Sequence, residues 1–326
     1  MLAFATIALG TTILTLIRKQ QKKDKIKVGV IGCGSMGSAT IRRLQSFPEI
    51  FEVFAWNRTF EKAKALVHSS GALKDVSKLV EKSEIILIFL GNLEIAKNVV
   101  SSIPTSLFQD KHVICLVSSN PTQAFTFATY IQKDRDLQTY VDGAYAGAPS
   151  TVLDGSGLIM VSSSCSTPPP LCVQKTLESI GKVEWINGKM GCAKAIDYAI
   201  VDMYFANLTF FLNGLGMIEA EGVSSESLLR LLSYKLPTYT TLFREQIERL
   251  DRRDYKSSIT ATLRTWLAFF DGRIEWLKNR KLNTRTIDFA RKLLIDSGAN
   301  HNFKKLEDAY RVQEILRFNN NNGHLQ

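Results

Sequence analysis

The chain has 326 residues, room for two ordinary domains, and its 45% hydrophobic and 22% charged content is that of a well-cored globular protein. The net charge of +10 is concentrated: RKQQKKDKIK, residues 18–27, holds six Lys/Arg against one Asp. These basic residues follow a hydrophobic N-terminus instead of alternating with aromatics over a face, so they point to a membrane surface and away from nucleic acid. The five cysteines (Cys33, Cys115, Cys165, Cys172, Cys192) are odd in number and form no CxxC, which excludes a disulfide framework and implies a reducing environment. His68, His112, His301 and His324 show no metal-ligand spacing; they read as surface residues, and no metal is expected.

Residues 1–17, MLAFATIALGTTILTLI, carry no charge. As a helix they would cover roughly 25 Å, the short end of what spans a bilayer. A cleaved signal peptide would have its basic residues before the apolar stretch; here the basic cluster follows, and the positive-inside rule keeps the remainder in the cytosol. The expectation is an N-terminal anchor (1–17) in the endoplasmic reticulum or mitochondrial outer membrane and a basic linker (18–25). The alternative is an apolar helix packed on the protein's own surface.

From residue 26 apolar strands alternate with helical segments. KVGVIG is a strand followed by a helix to about Phe47; FEVFAW (51–56) is a second strand, and EKAKALVHSSG a helix ending at glycine. EIILIFL (84–90), HVICLV (112–117), TYVDGA (139–144) and GSGLIMVSS (155–163) are further strands. Continuous apolar strands separated by helices mean a parallel sheet covered on both faces. Cys33 and Cys115 fall inside this pattern as small core residues. Beyond about residue 190 the chain becomes helical throughout: a long apolar run from Cys192 to Glu221, then amphipathic pieces at about 224–235, 238–253, 258–280 and 285–297. Trp266, Phe269, Phe270 and Trp276 read as core or dimer packing, and the polar tail NNNNGHLQ (319–326) reads as frayed.

VIGCGSMGSA places Gly32, Gly34 and Gly37 in the G-x-G-x-x-G spacing after a strand and at the start of a helix, with Ser35 and Met36 between them. The first glycine permits the tight turn, the second lets a pyrophosphate approach the backbone, and the third lets helix pack on strand. The helix N-terminus offers its N–H groups to the phosphates. At the end of the second strand an NAD site would carry an acidic residue for the ribose hydroxyls; this chain has Asn57, Arg58 and Thr59. Arg58 can stack on adenine and pair with a 2′-phosphate, so the expected cofactor is NADPH. Leu90 and Ser118, after the later strands, complete the expected cofactor contacts.

KVGVIGCGSMG, WNRT, VSSNPTQA and YVDGA together resemble the β-hydroxyacid dehydrogenase superfamily, with an NADP-binding domain of the 6-phosphogluconate dehydrogenase type. Within it the chain is most similar to imine reductases and reductive aminases. Ser118-Ser119-Asn120-Pro121 matches their turn, Tyr140, Asp142, Gly143, Ala144 and Pro149 match their Y-x-D-G-A strand, and AIDYAIVDMYFANLTFFLNGLGMIEAEGV resembles their aspartate-bearing helix. The resemblance runs from about residue 26 to 315. It implies an α/β fold, a Rossmann doubly wound parallel sheet (26–190), followed by an all-α C-terminal domain (191–318) joined by a long interdomain helix. It also implies a homodimer whose active site is shared between the chains, acting on a small-molecule substrate.

Dehydrogenases of the superfamily carry a catalytic lysine on this helix six residues after a glycine, and an asparagine four residues later. Counted from Gly191, those positions hold Asp197 and Val201. In imine reductases the lysine position is commonly aspartate or tyrosine, which makes Asp197 the candidate to protonate an imine nitrogen or stabilise an iminium. Tyr204, seven residues on, shares a helix face with it, and Asn92, after EIILIFL, is a further candidate to contact substrate or the nicotinamide ribose. Two other readings of Asp197 stand: a salt bridge with Lys194 at i, i+3, or an acidic residue favoured at a helix N-terminus. Lys194 could itself take the lysine's role from one turn earlier. The implied activity is NADPH-dependent reduction of C=N; the alternatives are a 3-hydroxyacid dehydrogenase-like enzyme and a non-catalytic NADP-binding scaffold.

Overall fold

The computed structural model describes residues 25–68, 70–133, 135–163, 169–252 and 263–299. The anchor expected at 1–17, the linker before Lys25 and the tail at 319–326 lie outside the described residues. Two compact units divide between Val201 and Asp202.

The first unit is a seven-stranded sheet in the order β2-β1-β3-β4-β5-β6-β7. Its strands are β1 (Ile26–Ile31), β2 (Phe51–Trp56), β3 (Ile85–Ile88), β4 (His112–Cys115), β5 (Thr139–Ala146), β6 (Leu158–Ser163) and β7 (Lys182–Asn187). Helices α1 (Ser35–Gln45), α2 (Phe60–Lys64), α3 (Val76–Lys82), α4 (Leu93–Ser101), α5 (Pro121–Lys133), α6 (Pro149–Asp154) and α7 (Leu171–Ile180) connect them. Alternate residues of the central strands feed two separate cores. Val28, Val30, Ile85 and Leu87 pack with Ile41, Leu44, Leu177 and Ile180 on one face. Ile86, Ile88, Val113 and Cys115 pack with Leu79, Ala96 and Phe127 on the other. Burial on both faces is why these strands are unbroken apolar runs, each large side chain contributing about 1.5–3 kcal/mol.

From β2 to β5 the order is that of the doubly wound 3-2-1-4-5-6 arrangement, with little left of one outer strand. Outside β2, Ala55 N donates to Gly71 O (2.9 Å) and Leu73 N to Ala55 O (3.0 Å), a single parallel bridge at Ala72 in the third strand's place. Connections therefore leave β1 in opposite directions, and the crevice for a ligand opens between the C-terminal ends of β1 and β3. Two features differ from the sequence expectation. GSGLIMVSS does join the sheet, but β6 runs antiparallel to β5. And β7, KVEWIN, is an edge strand that the sequence reading did not include, with none of its residues buried.

The long helix α8 (Cys192–Ala220) begins in the first unit, so the units divide later than residue 190. The reason is at its first turn. Lys194, 1% exposed, donates from Nζ to Val117 O (2.8 Å) and to Gly143 O, and lies 3.7 Å from Asp142 Oδ1. Ser162 Oγ donates to Asp142 Oδ2 (3.0 Å) and accepts from Ala193 N (3.0 Å). The helix start is thus fastened to β5 and β6. This corrects the i, i+3 reading: Lys194 forms its salt bridge with Asp142, not with Asp197.

The second unit contains the rest of α8 with α9 (Ser225–Arg252), α10 (Leu263–Asn279) and α11 (Arg285–Ala299). The pieces expected at about 224–235 and 238–253 are one helix, α9, with Pro237 inside it. Ile274, Leu277 and Ile287 form a small core with Met217, Phe270, Trp276 and Leu282. Arg280 ties it to the end of α8 through Ala220 O (2.8 Å) and Glu221 Oε1 (2.7 Å). Phe270 and Trp276 pack as expected, whereas Trp266 and Phe269 are exposed. By length and composition α8 is the one helix among the described residues able to cross a membrane. Only Ala193 and Lys194 of it are buried, and the charges of Lys194, Asp197 and Asp202 count against a membrane span.

Lys194→Met leaves the Asp142 carboxylate buried without its cation, which should cost about 3–5 kcal/mol. A urea titration should show the lower midpoint, and the double variant Lys194→Met/Asp142→Leu should recover most of the loss.

Candidate nucleotide site and the start of the long helix

The glycine turn has three glycines with three distinct constraints. Gly32 adopts φ +105°, and a Cβ there would lie 2.0 Å from Phe89 O. A Cβ on Gly37 would lie 2.0 Å from Gly32 O, so the first turn of α1 rests directly on the strand end. Gly34 is different: nothing lies within 4 Å of its Cβ position. It is the N-cap of α1, with no side chain capping the helix among the described residues, and Gly34 and Ser35 are exposed. The open side of the turn is therefore a surface of backbone N–H groups at a positive helix end, which fits a pyrophosphate. Met36 and Leu90 are half-buried beside it, and the Leu90 side chain stands 3.1 Å from the Gly32 Cβ position.

Asn57 has a role the sequence did not reveal. Its Oδ1 accepts from Cys33 N (3.1 Å) and its Nδ2 donates to Thr59 O (3.0 Å), pinning the glycine turn to the turn after β2. Arg58 and Thr59 are exposed beyond it, and Arg58 makes no salt bridge among the described residues, leaving its guanidinium for a ligand. Asn92 is the N-cap of α4, its Oδ1 accepting from Ile95 N (2.8 Å). Ser118 is exposed in the turn after β4, while its neighbour Ser119 is 8% exposed with an unpartnered Oγ among the described residues. An orphaned hydroxyl at the crevice is what a polar ligand would satisfy. Burial pushes the Cys33 thiol up to about 11 despite nearby Lys62, so this cysteine is a packing residue.

Asp197 is half-buried, three residues beyond the fastened Lys194. Desolvation raises its pKa, only partly opposed by the Lys194 ammonium, so its carboxyl keeps a proton to higher pH than an ordinary aspartate. Lys194 cannot exchange protons with a substrate: its Nζ is spent on two carbonyls and Asp142. Tyr204 belongs to the second unit, exposed, its ring edge-on to Phe205 at 5.4 Å. It lines an apolar cavity of about 560 Å³ with Asn207, Phe211, Leu232, Leu236 and Tyr239. Asp142 and Ser162, which hold the helix start, were not anticipated as a unit. Two charges inside apolar segments, TYVDGAYA and CAKAIDYAI, were the signal that they pair with each other.

A glycine turn feeding an uncapped helix at the switch point of a doubly wound sheet defines a dinucleotide-binding α/β domain. The family profile described as the NAD-binding domain of 6-phosphogluconate dehydrogenase matches residues 27–191, half of the chain, and the protein belongs to that family. A comparison with curated proteins finds no match. Among solved structures the chain is similar to a reductive aminase from Aspergillus terreus in complex with NADPH and ethyl-5-oxohexanoate (20% identity, TM-score 0.76, 90% of this chain and 100% of that one). An imine reductase from Bacillus cereus gives 18% identity and TM-score 0.77 over 90% of this chain and 100% of that one. One from Myxococcus stipitatus in complex with NADP+ gives 21% and 0.73 over 89% and 99%.

Gly34→Ala should leave the melting temperature unchanged and weaken dinucleotide binding by at least about tenfold, through contact with the pyrophosphate. Gly37→Ala should instead destabilise the fold by about 1–3 kcal/mol. Thermal melts beside fluorescence titration of both variants check the contrast.

Proposed function

We propose that this protein is an NADPH-dependent reductase of C=N bonds, with Asp197 as the group that protonates the imine nitrogen or stabilises an iminium. The observation carrying the reading is the state of the two charges at the start of α8. Lys194, the only lysine of that helix, is sealed against the sheet, while Asp197 keeps a raised pKa and partial exposure. An alcohol dehydrogenase of this superfamily needs a lysine that trades a proton with the substrate oxygen; here none on α8 can.

Bound NADPH would supply the hydride from C4 of its nicotinamide. The chain's own residues do the rest. The N–H groups of Ser35, Met36 and Gly37 would hold the pyrophosphate, Asn57, Arg58 and Thr59 the adenosine 2′-phosphate side, and Leu90 and Ser118 would add further cofactor contacts. As hydride reaches the imine carbon, the C=N π pair moves to nitrogen, which takes the proton from the Asp197 carboxyl; solvent reprotonates the carboxylate. Asn92 spends its oxygen on the α4 cap and keeps its amide N–H groups for substrate. Tyr204 offers a hydroxyl from an apolar wall. The exposed apolar residues of α8, among them Ile200, Met203 and Phe205, are consistent with a homodimer whose partner completes the site. Residues 1–17 hold the enzyme on a membrane of the endoplasmic reticulum or the mitochondrion, with the catalytic part in the cytosol.

Asp197→Asn should lower kcat for cyclic imines by about 10²–10⁴-fold with NADPH affinity unchanged. With Asp197 as proton donor its acid form is the active one, so wild-type kcat should fall as pH rises through its raised pKa, and the Asn variant should lose that limb; iminium stabilisation by the carboxylate gives the opposite slope. Oxidation of 3-hydroxy acids insensitive to Asp197, or nucleotide binding with no turnover on either substrate class, would overturn the proposal. Arg58→Ala should raise KM for NADPH by about 10–100-fold and leave KM for NADH near its original value.

A further inference from the structure

At the edge of the sheet opposite the glycine turn, three side chains of metal-binding type converge from distant parts of the sequence. Glu84, immediately before β3, His112, the first residue of β4, and Cys172, in the first turn of α7, each present a ligand atom, all within 4.8 Å of one another. The His112 ring is 3% exposed, and its Nδ1 has no hydrogen-bond partner among the described residues. A buried imidazole nitrogen left unpaired is a cost that a ligand would remove.

The backbone under this cluster is rigid. Lys27 O accepts from Glu84 N (2.8 Å), and Glu84 O from His112 N (3.1 Å), so both residues stand on adjacent central strands. Cys172 O accepts from Thr176 Oγ1 (2.8 Å), within a helix whose Val173 and Leu177 are in the core. Glu84 is exposed, which gives an ion a way in. A dication at the centre would take thiolate, carboxylate and neutral imidazole together.

We propose that Glu84, His112 and Cys172 form a zinc site. One sulfur, one nitrogen and one carboxylate oxygen are the donor set for Zn²⁺, with a solvent water in the fourth tetrahedral position. Bonds of about 2.0–2.3 Å put tetrahedral ligands about 3.3–3.8 Å apart, so the side chains close inward by about an ångström. Binding replaces the S–H bond of Cys172 with an S–Zn bond and releases one proton to solvent. The site would clamp the start of α7 to β3 and β4, away from the nucleotide crevice, and is independent of the proposed reduction.

Calorimetric titration of the full chain, purified in chelator, tests the site, with Co²⁺ substitution as a spectroscopic readout. The wild type should bind one equivalent of Zn²⁺, melt higher when loaded, and show thiolate-to-cobalt charge-transfer absorption. Cys172→Ser should lose that absorption, and it and Glu84→Gln should each weaken Zn²⁺ by at least about tenfold. Absence of saturable binding to the wild type, or equal affinity in both variants, overturns the proposal; both substituted positions tolerate polar replacement, so the outcome does not depend on a variant at buried His112.

Discussion

The Lys194 ammonium, held by the carbonyls of Val117 and Gly143 beside the Asp142 carboxylate, is the constraint on which the geometry of this protein depends. A buried ion pair is a poor source of net stability, but it is directional, and removing either member strands the other. Here the direction matters more than the energy. Asp142 is on β5, the carbonyls belong to β5 and to the chain leaving β4, and Ser162 extends the network to β6 and back to Ala193 N. Three segments that are remote in sequence fix the first turn of one helix.

That fixation gives the neighbouring carboxylate its character. Asp197 follows Lys194 by less than one helical turn, so it inherits the position of an anchored residue without entering the core. It is desolvated enough to favour its proton and near enough to Lys194 to feel a moderating positive charge. The nucleotide half of the site is built on the opposite plan. At the glycine turn there are no charged side chains, only backbone N–H groups and a helix end made accessible by the absence of Cβ atoms.

Much of the first unit was legible in sequence because its signals are local. Apolar runs marked the central strands, and the glycine spacing between KVGVI and a helix marked the turn. What escaped was whatever depends on contacts between distant segments. The direction of β6 follows from its pairing, not from its composition, and β7 is an edge strand with no buried residue. His112 looked like a surface residue until its neighbours at the strand starts were known. Asn57, read as a cofactor contact, also pins the glycine turn, a bond to Cys33 that one dimension does not show. The Lys194–Asp197 spacing offered an obvious helix pair, and the competing partner lay 52 positions back at Asp142. Pro237 shows the reverse failure: a strong local breaker overridden inside a long helix.

Gly191, the residue that precedes α8, adopts φ +93°, and a Cβ there would lie 2.5 Å from Pro121 O. The ground on which the helix starts is therefore the main chain of the turn after β4, with no side chain interposed. The distance from that turn to Asp197 is set by backbone touching backbone and by the rise of a helix. This contact is a second tie on the helix start, beside the Lys194 pair, and residue 191 makes it without any side-chain atom.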